Sequence, residues 1–390
     1  MFRRALSLEL QDRLMSDRSF IQIVVGPRQT GKTTAVKQTL DACEIPFHYV
    51  NADMVGATLA TRIVIEWEQA RLLAKRERKA ILFIDEIQKV TDWSGTVKAL
   101  WDEDTWNEIP LLVVLSGSST LLLQKGMSDS LKGRYELLHS THWMLSEMRD
   151  AFGYDLEDFL LRGGYPGAAR LESEQRWQAY INEPIIDATL SQDILQLENV
   201  RKPALLRRLF NLGALYSGQE LSYRKILGQL DDKGNTETIA HYLDLLGDAG
   251  MLAGLQKYSK KRLEQRRSSP RFMVYDTSLM TAIWRDEANR LLEDSELRGR
   301  LSESAVGAYL LARSKTDGFE LFWWRDGDFE VDFVLRRGEA VMAIEVKSGG
   351  IGDPRGLEAF KSRFPEATAL VVGTPAAPLE DFLLGKVPLF

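Results

Sequence analysis

One segment near the start of the chain constrains the fold most. An apolar run, FIQIVV at 20–25, leads directly into a glycine-rich loop that reads GPRQTGKT at 26–33, which fits G-x-x-x-x-G-K-[ST] in full. Between a strand and a helix, such a loop lets backbone N–H groups surround phosphate oxygens, while Lys32 reaches the β- and γ-phosphates and Thr33 offers a hydroxyl to Mg²⁺. A chance match is the alternative, and the predicted strand–loop–helix context weakens it. The segment therefore predicts a site for ATP and Mg²⁺.

A second strand supports this prediction. ILFID at 81–85 is apolar and ends in the acidic pair Asp85–Glu86. We expect Asp85 to complete the Mg²⁺ shell with Thr33, and Glu86 to orient the attacking water. An acidic pair after a strand is by itself usually a solvated turn, but its combination with the loop favours a catalytic role. The predicted nucleotide-binding residues are Gly26, Pro27, Arg28, Gln29, Thr30, Gly31, Lys32, Thr33, Thr34 and Ser118.

Two of the candidate residues keep alternatives open. The strand LLVVL at 111–115 is followed by SGSS, so Ser118 could sense the γ-phosphate or belong to an ordinary Ser/Gly turn. Arg134 follows a glycine and could act on a neighbouring subunit's ATP as an arginine finger, or it could be a surface charge. The finger interpretation predicts self-association into a ring or another homo-oligomer.

The pattern around these motifs indicates an α/β protein. Short apolar runs alternate with mixed segments from 20 to 150, which is typical of a parallel sheet with helices on both faces. The chain has 390 residues and a net charge of −6, and its single cysteine, Cys43, has no internal partner for a disulfide. No apolar run reaches the roughly 18 residues of a membrane helix, and early charges interrupt any signal-peptide core. We therefore expect a cytoplasmic location and no membrane contact.

Four domains are predicted: an ATPase domain at 1–150, a helical lid or linker at 151–200, a winged helix at 201–285 and a second α/β domain at 296–390. The predicted recognition helix begins at Asn235 and would present Thr236 and Thr238 to DNA. The segment from Lys257 to Arg271 carries seven basic residues and one acidic residue. We assign this segment to the wing of the winged helix. Its excess of positive charge favours contact with DNA phosphates, and a solvated basic loop is the alternative. The expected phosphate contacts are Lys260, Lys261, Arg266 and Arg267.

The last domain carries a possible metal-dependent nuclease centre. Asp332 lies in the strand FEVDFVL, and Glu345 and Lys347 lie two residues apart in the next strand, so the latter two share a face. Asp332 and Glu345 could hold Mg²⁺ with Glu303 of the preceding helix, and Lys347 could activate water. The catalytic candidates here are thus Asp332, Glu345 and Lys347. A fold that keeps these residues without cleaving DNA is the alternative.

These motifs resemble a family of AAA-type ATPases numbered 14, and the resemblance covers almost the whole chain. It is carried by GPRQTGKTT, by FIDEIQ at 83–88, by SGSS at 116–119 and by Arg134 in LKGR. LSEMRDAF at 145–152, GGYP at 163–166 and QDI at 192–194 extend it, the last with Gln192 where the family has arginine. The companion domain in that family is a domain of unknown function numbered 4143. The resemblance implies a winged helix followed by a PD-(D/E)xK restriction-endonuclease-like fold.

Two functions follow from these patterns. The first is an ATP-driven DNA-processing enzyme that acts on branched or end-containing DNA. The second is an ATP-dependent molecular switch or regulator whose nuclease-like fold is inert. DNA-stimulated ATP turnover with Mg²⁺-dependent cleavage would favour the first, and slow turnover without cleavage would favour the second.

Overall fold

The computed structural model describes residues 2–16, 18–52, 60–117, 131–195, 200–230, 235–260, 269–284, 293–347 and 355–390. The chain divides into two compact units, one ending at Thr141 and the other beginning at His142. The sequence analysis predicted that the first domain ends at residue 150. In the structure the boundary lies nine residues earlier, because Leu145 and Met148 pack into the core of the second unit.

The first unit is a parallel sheet with helices. Its described strands are β1 (Ile21–Val25), β2 (Phe47–Asn51), β3 (Ala80–Asp85), β4 (Leu111–Gly117) and β5 (Tyr135–His139). Its described helices are α1 (Ala5–Met15), α2 (Lys32–Cys43), α3 (Ala60–Glu77) and α4 (Trp93–Trp106), with a short 3-10 turn at Ile87–Lys89. The strand order is β2-β3-β4-β1-β5, and all neighbouring strands are parallel. The predicted α/β class with a parallel sheet is confirmed, and β5 is a strand that the sequence pattern did not reveal.

Strand β1 lies inside the sheet and is buried on both faces. Ile23 packs into a cluster with Trp67 of α3 and Val97 of α4. Val24 points to the opposite face and joins a cluster with Leu10 of α1 and residues of α2. Because both faces are covered, the polar groups at the carboxyl ends of the strands are where this unit presents chemistry.

The second unit contains a mixed sheet. Its described strands are β6 (Leu252–Lys257), β7 (Arg271–Val274), β8 (Glu320–Asp326), β9 (Phe329–Arg337), β10 (Ala340–Val346) and β11 (Thr368–Val372). Its described helices are α5 (Leu145–Phe152), α6 (Leu156–Arg162), α7 (Glu174–Tyr180), α8 (Pro203–Leu215), α9 (Tyr223–Gln229), α10 (Thr236–Asp248), α11 (Ser278–Thr281), α12 (Ser295–Asp317), α13 (Arg355–Arg363) and α14 (Leu379–Leu383), and two π-helical segments follow α7 at Ile181–Asp187 and Thr189–Ile194. The helix predicted to begin at Asn235 is present as α10, with Asn235 as its N-cap.

The sheet of the second unit runs β11-β10-β9-β8-β6-β7. Strand β6 pairs with β8 in parallel, with Gln256 opposite Phe322 and Lys257 opposite Trp323. Strands β6 and β7, which flank the basic segment predicted to be the wing, therefore belong to the same sheet as β8 to β11 of the predicted domain at 296–390. The sequence analysis predicted two separate domains on either side of residues 285–296. The structure differs, because the backbone hydrogen-bonding groups at the edge of β6 pair with β8. The winged-helix assignment itself stays a prediction.

The GGYP segment is built for close packing in the second unit. A Cβ on Gly163 would lie 1.9 Å from Oδ1 of Asp276, and one on Gly164 would lie 2.1 Å from the carbonyl oxygen of Trp143. The backbone N–H of Gly164 donates to Asp276 Oδ2 at 2.7 Å. Burial raises the pKa of Asp276 to about 6, opposed by hydrogen bonds from Ser278 and Gly164. The paired glycines thus admit a buried carboxylate that any side chain there would displace.

In the part of the chain that the structure describes, no helix combines the length and the apolar character needed to span a membrane.

Candidate nucleotide site and acidic centre

The glycine-rich loop links β1 to α2 and has the backbone shape that its sequence predicts. Gly26 has φ +157°, and a Cβ there would lie 1.9 Å from the carbonyl oxygen of Ser140. Gly31 has φ +85° and immediately precedes the first turn of α2. Both positions need glycine, the first for close approach and the second for its left-handed conformation. The loop therefore directs the amino end of α2 toward the carboxyl ends of the strands, the arrangement that binds phosphate.

Lys32 lies over this loop. Its Nζ donates to the carbonyl oxygens of Pro27 at 2.6 Å and Gly26 at 3.1 Å, and the residue is 6% exposed. These contacts hold the ammonium group where phosphate oxygens of a nucleotide would meet it. An incoming phosphate would compete with the carbonyl oxygens for the same donors, with the advantage of full negative charge.

Thr33, Asp85 and Ser116 meet at the carboxyl ends of β3 and β4. Thr33 Oγ1 donates to Asp85 Oδ2 at 2.7 Å, and Ser116 Oγ donates to the other carboxylate oxygen. Asp85 is only 3% exposed, so these hydroxyls hold it in one orientation. A threonine hydroxyl beside a carboxylate is an oxygen donor set that suits Mg²⁺ bound with a nucleotide, so the residues present fit this metal. Ser116 was not predicted as a site residue; Ser118 lies outside the described residues.

Glu86 follows Asp85 in a left-handed conformation, with φ +56°. Its Oε2 accepts a hydrogen bond from Gln88 Nε2 at 2.6 Å. Burial raises the pKa of Glu86 above its ordinary value, and the nearby charge of Lys32 opposes the rise. Glu86 is thus a carboxylate of raised basicity that the Gln88 amide holds in place, and it follows the predicted Mg²⁺ ligand Asp85 in the chain. Such a group can orient and deprotonate a water molecule.

Arg134 precedes β5 and is engaged within its own unit. Its Nε and one terminal nitrogen donate to the two carboxylate oxygens of Asp102 at 2.6 and 3.0 Å. The side chain is 32% exposed, and the hydrogen bonds from Arg134 lower the pKa of Asp102. An arginine finger would have to leave this two-bond contact to reach another subunit's nucleotide. The finger role therefore stays a prediction.

In the second unit, the structure brings together the four residues predicted for a nuclease centre. Glu303 projects from α12 and Asp332 from β9, while Glu345 lies in β10 and Lys347 just beyond it. Lys347 Nζ and Glu345 Oε1 are 2.8 Å apart, and the backbone N–H of Val346 donates to Asp332 Oδ2 at 2.8 Å. We call this group, together with Glu330 and Arg271, the acidic centre.

Arg271 occupies the middle of the acidic centre. One terminal nitrogen donates to Glu303 Oε1 at 2.5 Å and to Asp332 Oδ1 at 3.3 Å, and the other donates to Glu330 Oε1 at 2.7 Å. The sequence analysis counted Arg271 among the seven basic residues of the segment favoured for DNA contact; in the structure its side chain is buried and only 3% exposed, because the carboxylates of the acidic centre surround it. Glu330 was missed, although its position two residues before Asp332 on β9 places both on one face.

The three carboxylates predicted to bind Mg²⁺ do not form one metal site, because the Arg271 guanidinium lies between Glu303 and Asp332, and the described residues contain no group of three acidic, histidine or cysteine side chains placed to bind a metal. The hydrogen bonds of Arg271 do not extend to Glu345, whose Oε2 is buried without a hydrogen-bond partner among the described residues. Burial raises the pKa of Glu303 to about 8 and that of Glu345 to about 7. The prediction that these residues are metal ligands and cleave DNA therefore gains no support from their geometry.

The residues predicted to contact DNA are only partly described. Thr236 and Thr238 lie in the first turn of α10, where Asn235 caps the helix by accepting from the N–H of Glu237 at 3.0 Å. Lys261, Arg266 and Arg267 lie outside the described residues. Lys260 is exposed and lies at a cavity of about 310 Å³ in the second unit.

That cavity has a basic rim that the sequence did not predict. Its charged lining residues are Lys257, Lys260, Arg325, Arg363 and Asp326. Tyr258, Trp324 and Phe364 also line it but are each less than 9% exposed, so they form its floor. Arg363 pairs with Asp326, and Arg325 pairs with Glu220 and Glu330, so the four cations meet three carboxylates; the remaining excess of positive charge favours an anionic ligand.

The loop between β1 and α2, Asp85 at the end of β3 and the parallel sheet define the first unit as a nucleotide-binding P-loop domain. Comparison with known families agrees: residues 18–149 match the family described as AAA domain, number 14. Residues 298–381 match the domain of unknown function 4143, and residues 153–290 match the domain of unknown function 8612. The chain therefore joins an AAA domain to the domain numbered 4143, which confirms the resemblance seen in the sequence.

Similar individual proteins were also found. The uncharacterized protein MJ1544 of Methanocaldococcus jannaschii is 25% identical over 354 residues, covering 85% of this chain and 75% of that protein. The Walker-type ATPase PABY2304 of Pyrococcus abyssi is 14% identical, covers 73% of this chain and 95% of its own, and has a TM-score of 0.50, which shows a shared fold. The RuvB Holliday junction branch migration motor of Thermotoga maritima is 20% identical over 64% of this chain and 87% of its own, with a TM-score of 0.35.

Proposed function

We propose that the first unit binds ATP with Mg²⁺ and hydrolyses it. The observation that carries this proposal is the contact of Thr33 Oγ1 with the buried Asp85 carboxylate, with Glu86 next in the chain. Mg²⁺, when bound there with ATP, supplies charge neutralisation for the β- and γ-phosphates. Lys32 then exchanges its contacts with loop carbonyl oxygens for contacts with phosphate oxygens.

Glu86 is the base in this proposal. Its carboxylate accepts the proton of a water molecule as that water attacks the γ-phosphate, and Gln88 holds the carboxylate in place. The raised pKa of Glu86 brings its basicity closer to that required near neutral pH.

An ATPase assay on matched variants tests this function. Asp85→Asn removes the carboxylate charge that Thr33 and Ser116 hold, so Mg²⁺-dependent turnover should fall roughly a hundredfold or more. Asp41→Asn is the control, because Asp41 is an exposed carboxylate on α2. A wild-type chain with no ATP turnover, with or without DNA, contradicts the proposal, as does equal loss in the two variants.

For the second unit, we propose contact with the phosphate backbone of DNA at the basic cavity and along the basic segment that begins at Lys257. Support comes from the four cations around the cavity and from the buried position of its aromatic residues, which leaves little aromatic surface for stacking on bases. Such a surface favours binding that depends on salt and little on sequence.

Of the two functions that the sequence left open, the geometry favours the ATP-dependent switch over the DNA-cutting enzyme. Arg271 lies between Glu303 and Asp332, two of the three carboxylates that cleavage would need for a metal. The test is one panel of duplex, single-stranded and branched DNA, each incubated with Mg²⁺ or Mn²⁺, with and without ATP. Binding that changes with ATP, without cleavage, supports the switch; cleavage that Lys347→Ala abolishes supports the processing enzyme.

A further inference from the structure

Arg271 makes hydrogen bonds through all three of its guanidinium nitrogens. Nε donates to the carbonyl oxygen of Gly218 at 2.8 Å, and the two terminal nitrogens donate to Glu330, Glu303 and Asp332. These four acceptors come from three separate parts of the chain: the loop after α8, helix α12 and strand β9, which contributes two of them. The guanidinium therefore collects oxygen ligands in the way that a hard divalent cation would.

Two cations lie inside the acidic centre. Arg271 bonds Glu303, Glu330 and Asp332, and Lys347 pairs with Glu345, so each of the four carboxyl groups contacts a positive charge. Arg325 also contacts Glu330, but it is shared with Glu220 and so belongs to the edge of the centre. Burial raises the pKa of Glu303, which favours its neutral form and lowers the negative charge that a metal would otherwise balance.

The backbone fixes Arg271 in this position. The N–H of Gly218 donates to the carbonyl oxygen of Phe272 at 2.8 Å, and the N–H of Phe272 donates to Gln219 at 3.0 Å. Gly218 has φ +83°, and a Cβ there would lie 2.9 Å from Glu303 Oε1. The loop after α8 is thus bonded to β7 next to Arg271 and closes over the centre, so the guanidinium would leave only if this pairing broke.

We propose that Arg271 is the permanent cation of the acidic centre and takes the place of a divalent metal. The centre is then a structural junction that holds β7, β9 and α12 together, and the space among Glu303, Glu330 and Asp332 is closed to Mg²⁺ while Arg271 is present. The inference does not depend on ATP hydrolysis by the first unit. It predicts that a neutral residue at position 271 opens a site for a divalent cation.

The experiment measures Mn²⁺ binding to the full chain from the EPR signal of the free ion, without nucleotide. All proteins carry Asp85→Asn, which removes the carboxylate of the P-loop metal site. Arg271→Met should gain about one bound Mn²⁺ per chain, because a carboxylate cluster without its cation suits Mn²⁺. Arg271→Lys keeps a positive charge and should gain none. Thermal unfolding should show the same contrast, with a midpoint that Mn²⁺ raises only in Arg271→Met.

A second comparison of Mn²⁺ binding tests the proposal even if Arg271→Met does not fold. In the Asp85→Asn chain with Arg271 intact, Asp332→Asn should leave Mn²⁺ binding unchanged, since the proposal has no metal at Asp332. Mn²⁺ that binds to the parent chain and no longer binds after Asp332→Asn would overturn the inference. A folded Arg271→Met chain that gains no Mn²⁺ would overturn it as well.

Discussion

Replacing Glu86 by glutamine is the sharpest test of the proposed hydrolysis. The amide has nearly the same shape as the carboxylate and can still accept the hydrogen bond from Gln88 through its oxygen. Lys32, Thr33 and Asp85 keep their contacts, so the phosphate- and metal-binding groups are unchanged. The substitution therefore removes a base and leaves the binding site in place.

The expected loss is the contribution of a general base, a fall in kcat of about 10²–10⁴-fold, which equals roughly 3–5 kcal/mol of activation free energy. ATP affinity should stay equal or become tighter, because one negative charge near the phosphates has been removed. The pH profile carries independent information. Burial raises the pKa of Glu86, and only its ionised form accepts a proton. The rate should therefore fall as pH drops through a value above that of an ordinary glutamate.

The assay follows phosphate release at saturating ATP across pH, with ATP binding measured separately by fluorescence of a labelled nucleotide. Glu108→Gln is the matched control, because Glu108 is an exposed glutamate of the same unit. A Glu86→Gln chain that hydrolyses ATP at the wild-type rate refutes the assignment of the base. A loss of ATP binding equal to the loss of turnover would also refute it, since Glu86 would then be a binding residue.

Three further predictions concern other charged groups. Lys32→Ala should abolish nucleotide binding, measured by equilibrium dialysis, because the buried ammonium of the loop is removed. If Arg134 leaves Asp102 to act on a neighbouring subunit, Lys32→Ala and Arg134→Ala chains should be inactive apart and partly active when mixed; a monomeric wild type without recovery would assign Arg134 to the surface. Lys260→Gln with Arg363→Gln should lower the salt dependence of DNA binding by a slope of roughly 1.8, about 0.9 for each phosphate that is no longer neutralised, and equally on unrelated sequences.

The nucleotide site could be predicted from the sequence because its determinants are local. The loop shape requires glycine at 26 and 31, and the strand that precedes it is apolar throughout apart from Gln22. Strand β5 was not predicted from the sequence, because only Leu138 of its five residues is buried. Glu136 also interrupts the sequence YELLH, so β5 lacks the continuous apolar run by which strands such as β1 and β3 were recognised.

The acidic centre shows what local patterns cannot reveal. In the sequence, Arg271 ends a run of basic residues, and a charge in such a run is usually solvated. Its burial depends on Glu303 and Asp332, which lie 32 and 61 positions further along the chain. Burying a guanidinium is favourable only where carboxylates are already in place, so only the tertiary fold decides which arginine of the run goes inside.

The acidic centre and the pairing of β6 with β8 both link the two family segments of the second unit. Arg271 begins β7, in the segment that matches the domain numbered 8612, whereas Glu303 and Asp332 belong to the segment that matches the domain numbered 4143. The β6–β8 pairing joins the two segments in one sheet, and the ion pairs of Arg271 join them again beside it. Separating the segments would leave a guanidinium on one side and several carboxyl groups on the other without partners. Each unpaired buried charge costs several kcal/mol, a large part of the stability of an ordinary domain. We therefore expect the two family segments of this chain to unfold together, because they share one sheet and the ion pairs of the acidic centre.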